Sequence, residues 1–215
     1  MRPALFTLLL AASPALAGEM PNLDPSAPAA PGAVALLLSA QNLYALGQSG
    51  KDPLLVLTAA RMMRLVALLP ASRIPQITGK AAPSGLTLPD AATMLATARR
   101  LDPGESFSDL IEAIATETPP PPKALRATGS QLDPGLTDTW TLQFYGGTYG
   151  ELAILGAGQG NLDLLVTDAN GSLICQDNGS ADTGFCGFTP KDNGDFTATI
   201  TNAGLAPDAY ILVTN

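Results

Sequence analysis

Two cysteines, four lysines and a scatter of carboxylates are the side chains of this 215-residue chain that could do chemistry, and no histidine stands among them. Without an imidazole, Ser-His-Asp and Cys-His catalysis, histidine-bound zinc and a histidine pH switch are all excluded. Cys175 and Cys186 lack the Cys-x-x-Cys spacing of redox centres. In an oxidising compartment they are expected to form a disulfide closing the loop Gln176 to Phe185, a staple with no reactive role. Serine-lysine catalysis would need Lys51, Lys80, Lys123 or Lys191 to be buried, and nothing in their surroundings predicts it. Glycosidases need two facing carboxylates. Asp163 is the most interesting candidate, outward-facing if Leu162 and Leu164 face a core, yet acidic residues on a secreted sheet are ordinary solubilising charge. Gly156-Ala157-Gly158-Gln159-Gly160 lacks the Lys-Ser/Thr ending of a phosphate loop and reads as a hairpin turn.

The front of the chain carries an address. Arg2, the apolar stretch Leu5 to Ala12 and the small-x-small Ala15-Leu16-Ala17 predict a signal peptide over residues 1–17, with mature protein from Gly18. No second membrane span follows, and no cysteine at the cleavage point offers a lipid anchor. The expected location is periplasmic or secreted, where thiols oxidise. A hydrophobic content of 46% with 14% charged residues predicts a folded core. The formal charge of -8 excludes a nucleic-acid surface, which needs clustered Lys and Arg.

These groups must be positioned by two halves of different rhythm. Residues 18–31 form a proline- and alanine-rich lead-in. Residues 32–118 have helical spacing. One helix is expected from Ala33 to Leu46, with Gly47 as its stop. A second, capped by Asp52 with Pro53 at its first position, is expected to run until just before Pro70. A third spans Pro89 to Leu101, and a fourth Phe107 to Thr116, with Ser106 and Asp109 spaced as a capping box. Asp52-x4-Leu57-x2-Ala60-Arg61 is echoed by Asp90-x4-Leu95-x2-Ala98-Arg99, as two stacked helical hairpins would produce. Such hairpins present a groove to a protein partner. Arg61, Arg64, Arg99 and Arg100 could align as a basic strip, or simply be exposed helix polarity.

Pro119 to Pro122 then stop all helix, and residues 119–123 read as a polyproline linker. Beyond it the period is two. Trp140, Leu142 and Phe144 alternate with Thr139, Thr141 and Gln143; Phe196, Ala198 and Ile200 alternate with Thr197, Thr199 and Thr201. Eight strands are expected, centred near Ala127, Leu142, Ile154, Leu164, Ile174, Phe188, Ala198 and Leu212. The fold class is therefore α+β as separate domains: a small all-α helical-hairpin domain, then an antiparallel β-sandwich over 124–215. The second part holds most of the negative charge, with 10 acidic against 3 basic side chains in 123–215 and 9 against 7 in 18–122.

Gly129-Ser130-x-Leu132, Asp138-x-Trp140-x-Leu142, Asn161-Leu162-Asp163-Leu164-Leu165-Val166-x-Asp168-x-Asn170-Gly171, Gly194-Asp195-Phe196-x-Ala198-x-Ile200 and Tyr210-x-Leu212 together resemble the bacterial pre-peptidase C-terminal (PPC) domain family. That resemblance covers about 124–215 and implies a jelly-roll-like sandwich on secreted proteins, serving secretion, localisation or binding beside a protease. No peptidase domain accompanies it in this chain, which leaves the binding role. Some relatives of that fold hold calcium, and Asp133 and Asp138 match part of their ligand set. The other part is absent, since Glu117-Thr118 runs into prolines. Calcium wants six to eight oxygens, so two aspartates do not make a site. Asp168-Ala169-Asn170-Gly171 and Asp192-Asn193-Gly194 read as plain turns. The chain is thus expected to be an exported, non-enzymatic binding protein with no cofactor unless calcium, engaging a protein partner through its helical half. The alternative is a polysaccharide-binding or accessory module that stacks sugars on Tyr145, Tyr149 or Phe185, Trp140 being core-facing.

Overall fold

The computed structural model describes residues 20–27, 31–77, 84–158 and 160–215. The expected signal peptide at 1–17 and Lys80 lie outside the described residues, as does part of the lead-in.

Helix α1 (Ala33–Gly50) runs four residues past its expected end. Gly47 is not its stop; a Cβ there would sit 2.7 Å from Val56 Cγ2, so the missing side chain serves close approach to the next helix. That helix, α2 (Pro53–Met63), is capped as expected, with Asp52 Oδ1 accepting from the Leu54 and Leu55 N–H groups. Strands β1 (Val66–Pro70) and β2 (Gln76–Ile77) follow, then α3 (Ala91–Leu101) and α4 (Ser108–Thr116). Asp90 caps α3 through the Thr93 N–H. The capping box expected at Ser106 and Asp109 does not form. Asp102 accepts from the Ser106 and Phe107 N–H groups instead, at 3.0 and 2.7 Å.

The sandwich strands are β3 (Lys123–Leu132), β4 (Thr137–Phe144), β5 (Gly150–Gly156), β6 (Leu162–Asp168), β7 (Leu173–Asp177), β8 (Thr183–Phe188), β9 (Gly194–Asn202) and β10 (Asp208–Thr214). Each of the eight expected centres falls inside one of them. Sheet A has the order β1-β3-β10-β5-β8 and sheet B the order β2-β4-β9-β6-β7. All pairings are antiparallel except that of β1 with β3.

Two strands therefore come from the half expected to be all helix. The second helix stops at Met63 because Val66–Pro70 finds better partners along Lys123–Ala127 than a further helical turn would offer. Pro70, which has no N–H to give, ends an edge strand, where it is tolerated. β2 then caps the edge of sheet B against Thr139 and Asp138. One connection, residues 71–75, thus crosses from sheet to sheet. It is held by Ala71 N–H to the Ala127 carbonyl and by an Arg73 guanidinium N–H to Thr214 Oγ1.

Apolar packing runs across the boundary drawn at the tetraproline. Leu125, Ala153, Leu155, Ile211 and Val213 of sheet A belong to the same apolar cluster as Leu37, Val56, Leu57, Met94 and Ile111 of the helices. The opposite side of sheet A, with Leu152, Ile154, Tyr210 and Leu212, packs into the sandwich with Trp140, Leu142 and Phe196. The order is helices, sheet A, sheet B, and sheet A is buried on both faces. The spacer itself is pinned where Lys123 N–H donates to the Leu65 carbonyl.

Candidate binding face

Helices spent on covering sheet A leave the outer face of sheet B as the sheet surface that no helix among the described residues covers. Its side chains follow from the alternation of β4 and β9. Directly opposed pairs are Thr137 with Thr201, Thr139 with Thr199, Thr141 with Thr197, and Gln143 with Asp195. The rungs continue outward: Gln76 beside Thr139, Leu165 then Gln176 beyond Thr199, Thr167 then Leu173 beyond Thr197, Asp163 beyond Thr201. β-branched threonine suits a half-solvated pleat, and opposed pairs stand about 4.5–5.5 Å apart at Cβ. Thr137 and Thr201 share a hydroxyl hydrogen bond of 3.0 Å. No Lys or Arg stands in any strand of sheet B.

At the far end of the ladder Tyr145 is 65% exposed. Gln143, Tyr145, Asn193 and Asp195 line a cleft of about 320 Å³ beside it. The turns there are cross-pinned. Asn193 Oδ1 accepts from Gly146 N–H at 2.8 Å, Gly147 N–H donates to the Pro190 carbonyl at 2.8 Å, and the Asn22 amide both donates to and accepts from the Asp192 backbone. Of the expected aromatics, Tyr149 and Phe185 lie elsewhere. A Cβ on Gly187 would meet both, so they flank that glycine on the helix side of sheet A.

Asp133 and Asp138, the candidate calcium ligands, are not brought together. Asp133 is exposed after β3, while Asp138 is fully buried on the inner side of β4. Its Oδ2 accepts from Ser130 Oγ at 2.7 Å and from the Tyr210 hydroxyl, which in turn accepts from Trp140 Nε1 at 2.9 Å. Burial, reinforced by the Asp138 carboxylate, pushes the Tyr210 phenol well above its usual range. The network joins the two sheets through the buried core. Its one orphaned oxygen, Asp138 Oδ1, cannot supply calcium's coordination shell, and no cluster of three ligand side chains occurs among the described residues. These residues do not fit the ion. Glu117, at the place of the missing ligands, pairs with Arg61 at 2.9 and 3.0 Å.

Of the four arginines that could align as a basic strip, Arg61, Arg64 and Arg99 are engaged and Arg100 reaches only Thr97 Oγ1 at 3.4 Å. Arg64 donates to the carbonyls of Ile114 and Glu117, and Arg99 faces Glu112 at 3.7 Å. Asp168 accepts backbone N–H groups from Asn22, Asn170 and Ser172 at 2.9 Å each, holding the Asn170-Gly171 turn. Burial opposes its ionisation, but those three N–H groups outweigh burial and keep its carboxyl below the ordinary aspartate range.

Cys175 and Cys186 form the expected disulfide, with Cα atoms 6.2 Å apart. They lie within β7 and β8, the outer strands of opposite sheets, so the bond closes the side of the sandwich facing away from β1 and β2. Replacing both by alanine is expected to cost about 3 kcal/mol, the chain-entropy figure for so short a loop. The check is the urea midpoint, which should fall for the variant and, equally, for reduced wild type. An unchanged midpoint would remove the staple role.

Sequence reasoning missed Glu151. This carboxylate, fully buried at the start of β5, accepts from Gly32 N–H at 2.7 Å and Val34 N–H at 3.0 Å. It caps α1, whose own N-cap residue is glycine. A Cβ on Gly32 would stand 2.2 Å from Glu151 Oε2, so a side chain there would displace the carboxylate from its two N–H partners.

No family model and no curated protein matches the chain. Among solved structures, it is similar to a periplasmic inhibitor of g-type lysozyme from Aeromonas hydrophila, at 13% identity over 42% of this chain and 86% of that one, with TM-score 0.31. It is also similar to a xylan-binding module from Roseburia intestinalis, at 11% identity over 40% and 76%, with TM-score 0.32. No helix among the described residues is long and apolar enough to cross a membrane.

Proposed function

We propose that this is an exported, non-catalytic binding protein whose working surface is the outer face of sheet B. The observation that carries the reading is the division of labour between the two sheets: one is covered by helices, the other presents an ordered polar ladder. The helical half spends its apolar stripe on sheet A and is a cover for the sandwich, not an independent docking module. We read the interleaved order β3-β10-β5-β8 over β4-β9-β6-β7 as that of a jelly roll, in keeping with the resemblance to the pre-peptidase C-terminal family. Lys51, Lys123 and Lys191 are exposed, unsuited to act as a base for a serine. Asp163 and Asp195 are separated by six residues of strand, about 20 Å at ~3.4 Å per residue. Glycosidase carboxylates stand about 5 to 9.5 Å apart.

The test is photocrosslinking in intact cells with a benzophenone side chain at Thr141 on the face, or at Thr58 on the exposed side of α2. Adducts from position 141 and none from 58 are expected. Adducts from 58 alone would overturn the reading.

A further inference from the structure

Resting on that reading, we propose that the face binds an extended, neutral polysaccharide, with one sugar ring stacked on Tyr145 and the following units laid along the β4–β9 ladder. Three observations point there. The outward positions of β4 from Thr137 to Gln143 form one line of about 20 Å at ~3.4 Å per residue, which Tyr145, just past the strand's end, extends, long enough for several sugar units of a linear chain. The groups along it, threonine hydroxyls with the Gln76 and Gln143 amides, both donate and accept, matching sugar hydroxyls that do the same. The line ends on an exposed aromatic face beside Asn193 and Asp195, where a pyranose can put its apolar side on the ring and its hydroxyls on the amide and carboxylate.

Charge selects among polymers. The face has no cation in its strands and carries Asp163 and Asp195; Lys191, in the turn beside Gly146, is a single cation at the Tyr145 end, so a uronate- or sulfate-bearing chain laid along the ladder meets net repulsion. A folded protein partner would want a contiguous apolar centre. Here the exposed leucines, Leu165 and Leu173, stand among threonines on β6 and β7 at one side. The cross-pinned turns around Gly146 and Asn193 hold Tyr145 in place before any ligand arrives, which limits the ordering cost of binding.

Affinity electrophoresis of the full mature chain decides the matter, with xylan and mixed-linkage β-glucan as neutral probes and polygalacturonate as the anionic one. Wild type should be retarded by at least one neutral polymer and not by polygalacturonate. Tyr145→Ala should weaken that retardation tenfold or more. So should the paired Thr139→Val and Thr199→Val, which keep the β-branched shape while removing hydroxyls; thermal midpoints confirm that both variants fold. Absence of retardation by every neutral polymer, equal retardation by polygalacturonate, or undiminished binding by Tyr145→Ala would overturn the proposal. A discrete protein adduct from position 141 alongside absent retardation sinks the polysaccharide and leaves the working face standing; no adduct from that position together with absent retardation sinks both.

Discussion

Replacing Glu151 by alanine is expected to lower the unfolding free energy by about 3–5 kcal/mol, because two charge-assisted hydrogen bonds of a fully buried carboxylate are lost. The Gly32 and Val34 N–H groups are left without the partner that satisfies them, and the positive end of α1 loses the charge facing it. Since Glu151 is the polar tie between the covering helices and the central part of sheet A, the expected result is broad. Helix signal and sandwich signal should fall together in urea, with one midpoint. A loss confined to helical circular dichroism, or a change under 1 kcal/mol, roughly the size of an ordinary surface substitution, would show that the carboxylate is not the cap we describe.

The second large effect concerns the buried network. Tyr210→Phe is expected to cost about 3 kcal/mol or more, although it removes a single oxygen. That oxygen donates to Asp138 and accepts from Trp140, so its loss leaves an indole N–H unpaired and a buried carboxylate with Ser130 as its remaining donor. Trp140 is the only tryptophan in the chain, which makes its emission a direct probe of this spot. Destabilisation should come with a changed emission maximum in the folded state. Asp138→Asn, which keeps an acceptor for both hydroxyls and carries no charge, should be milder. If Tyr210→Phe were neutral, the hydrogen bonds linking the sheets would have no part in stability.

Much of this arrangement was open to reading from residues. The eight sandwich strands were legible because period-two runs are separated by glycine and Asx turns; the Gly171 φ of 81° shows why that turn needs its residue type. The same alternation places Asp138 on the side of Trp140 and Leu142, so its burial was available to anyone extending the count two residues back. β1 was hidden because Val66 to Leu69 continues an apolar run that suits a helix equally well; only the distant partner Lys123–Ala127 makes it a strand. The three-layer arrangement did leave a trace. Leu152 to Leu155 and Tyr210 to Val213 are unbroken apolar runs, the mark of strands buried on both sides. The Glu151 cap left none, since its partner is 119 residues away. The binding face was half legible: the threonines stand in the alternation, but which face lies uncovered depends on where the helices dock.

Strand β10 comes last in chain order yet lies at the middle of sheet A, hydrogen-bonded to β3 on one side and β5 on the other. No earlier stretch can complete the barrier between helices and sandwich by itself, and the facing edges of β3 and β5 stay open until Asp208–Thr214 joins them. High contact order of this kind makes for slow, late closure. The compact form is therefore reached in one late step, when Asp208–Thr214 slots between two strands that lie far earlier in the chain.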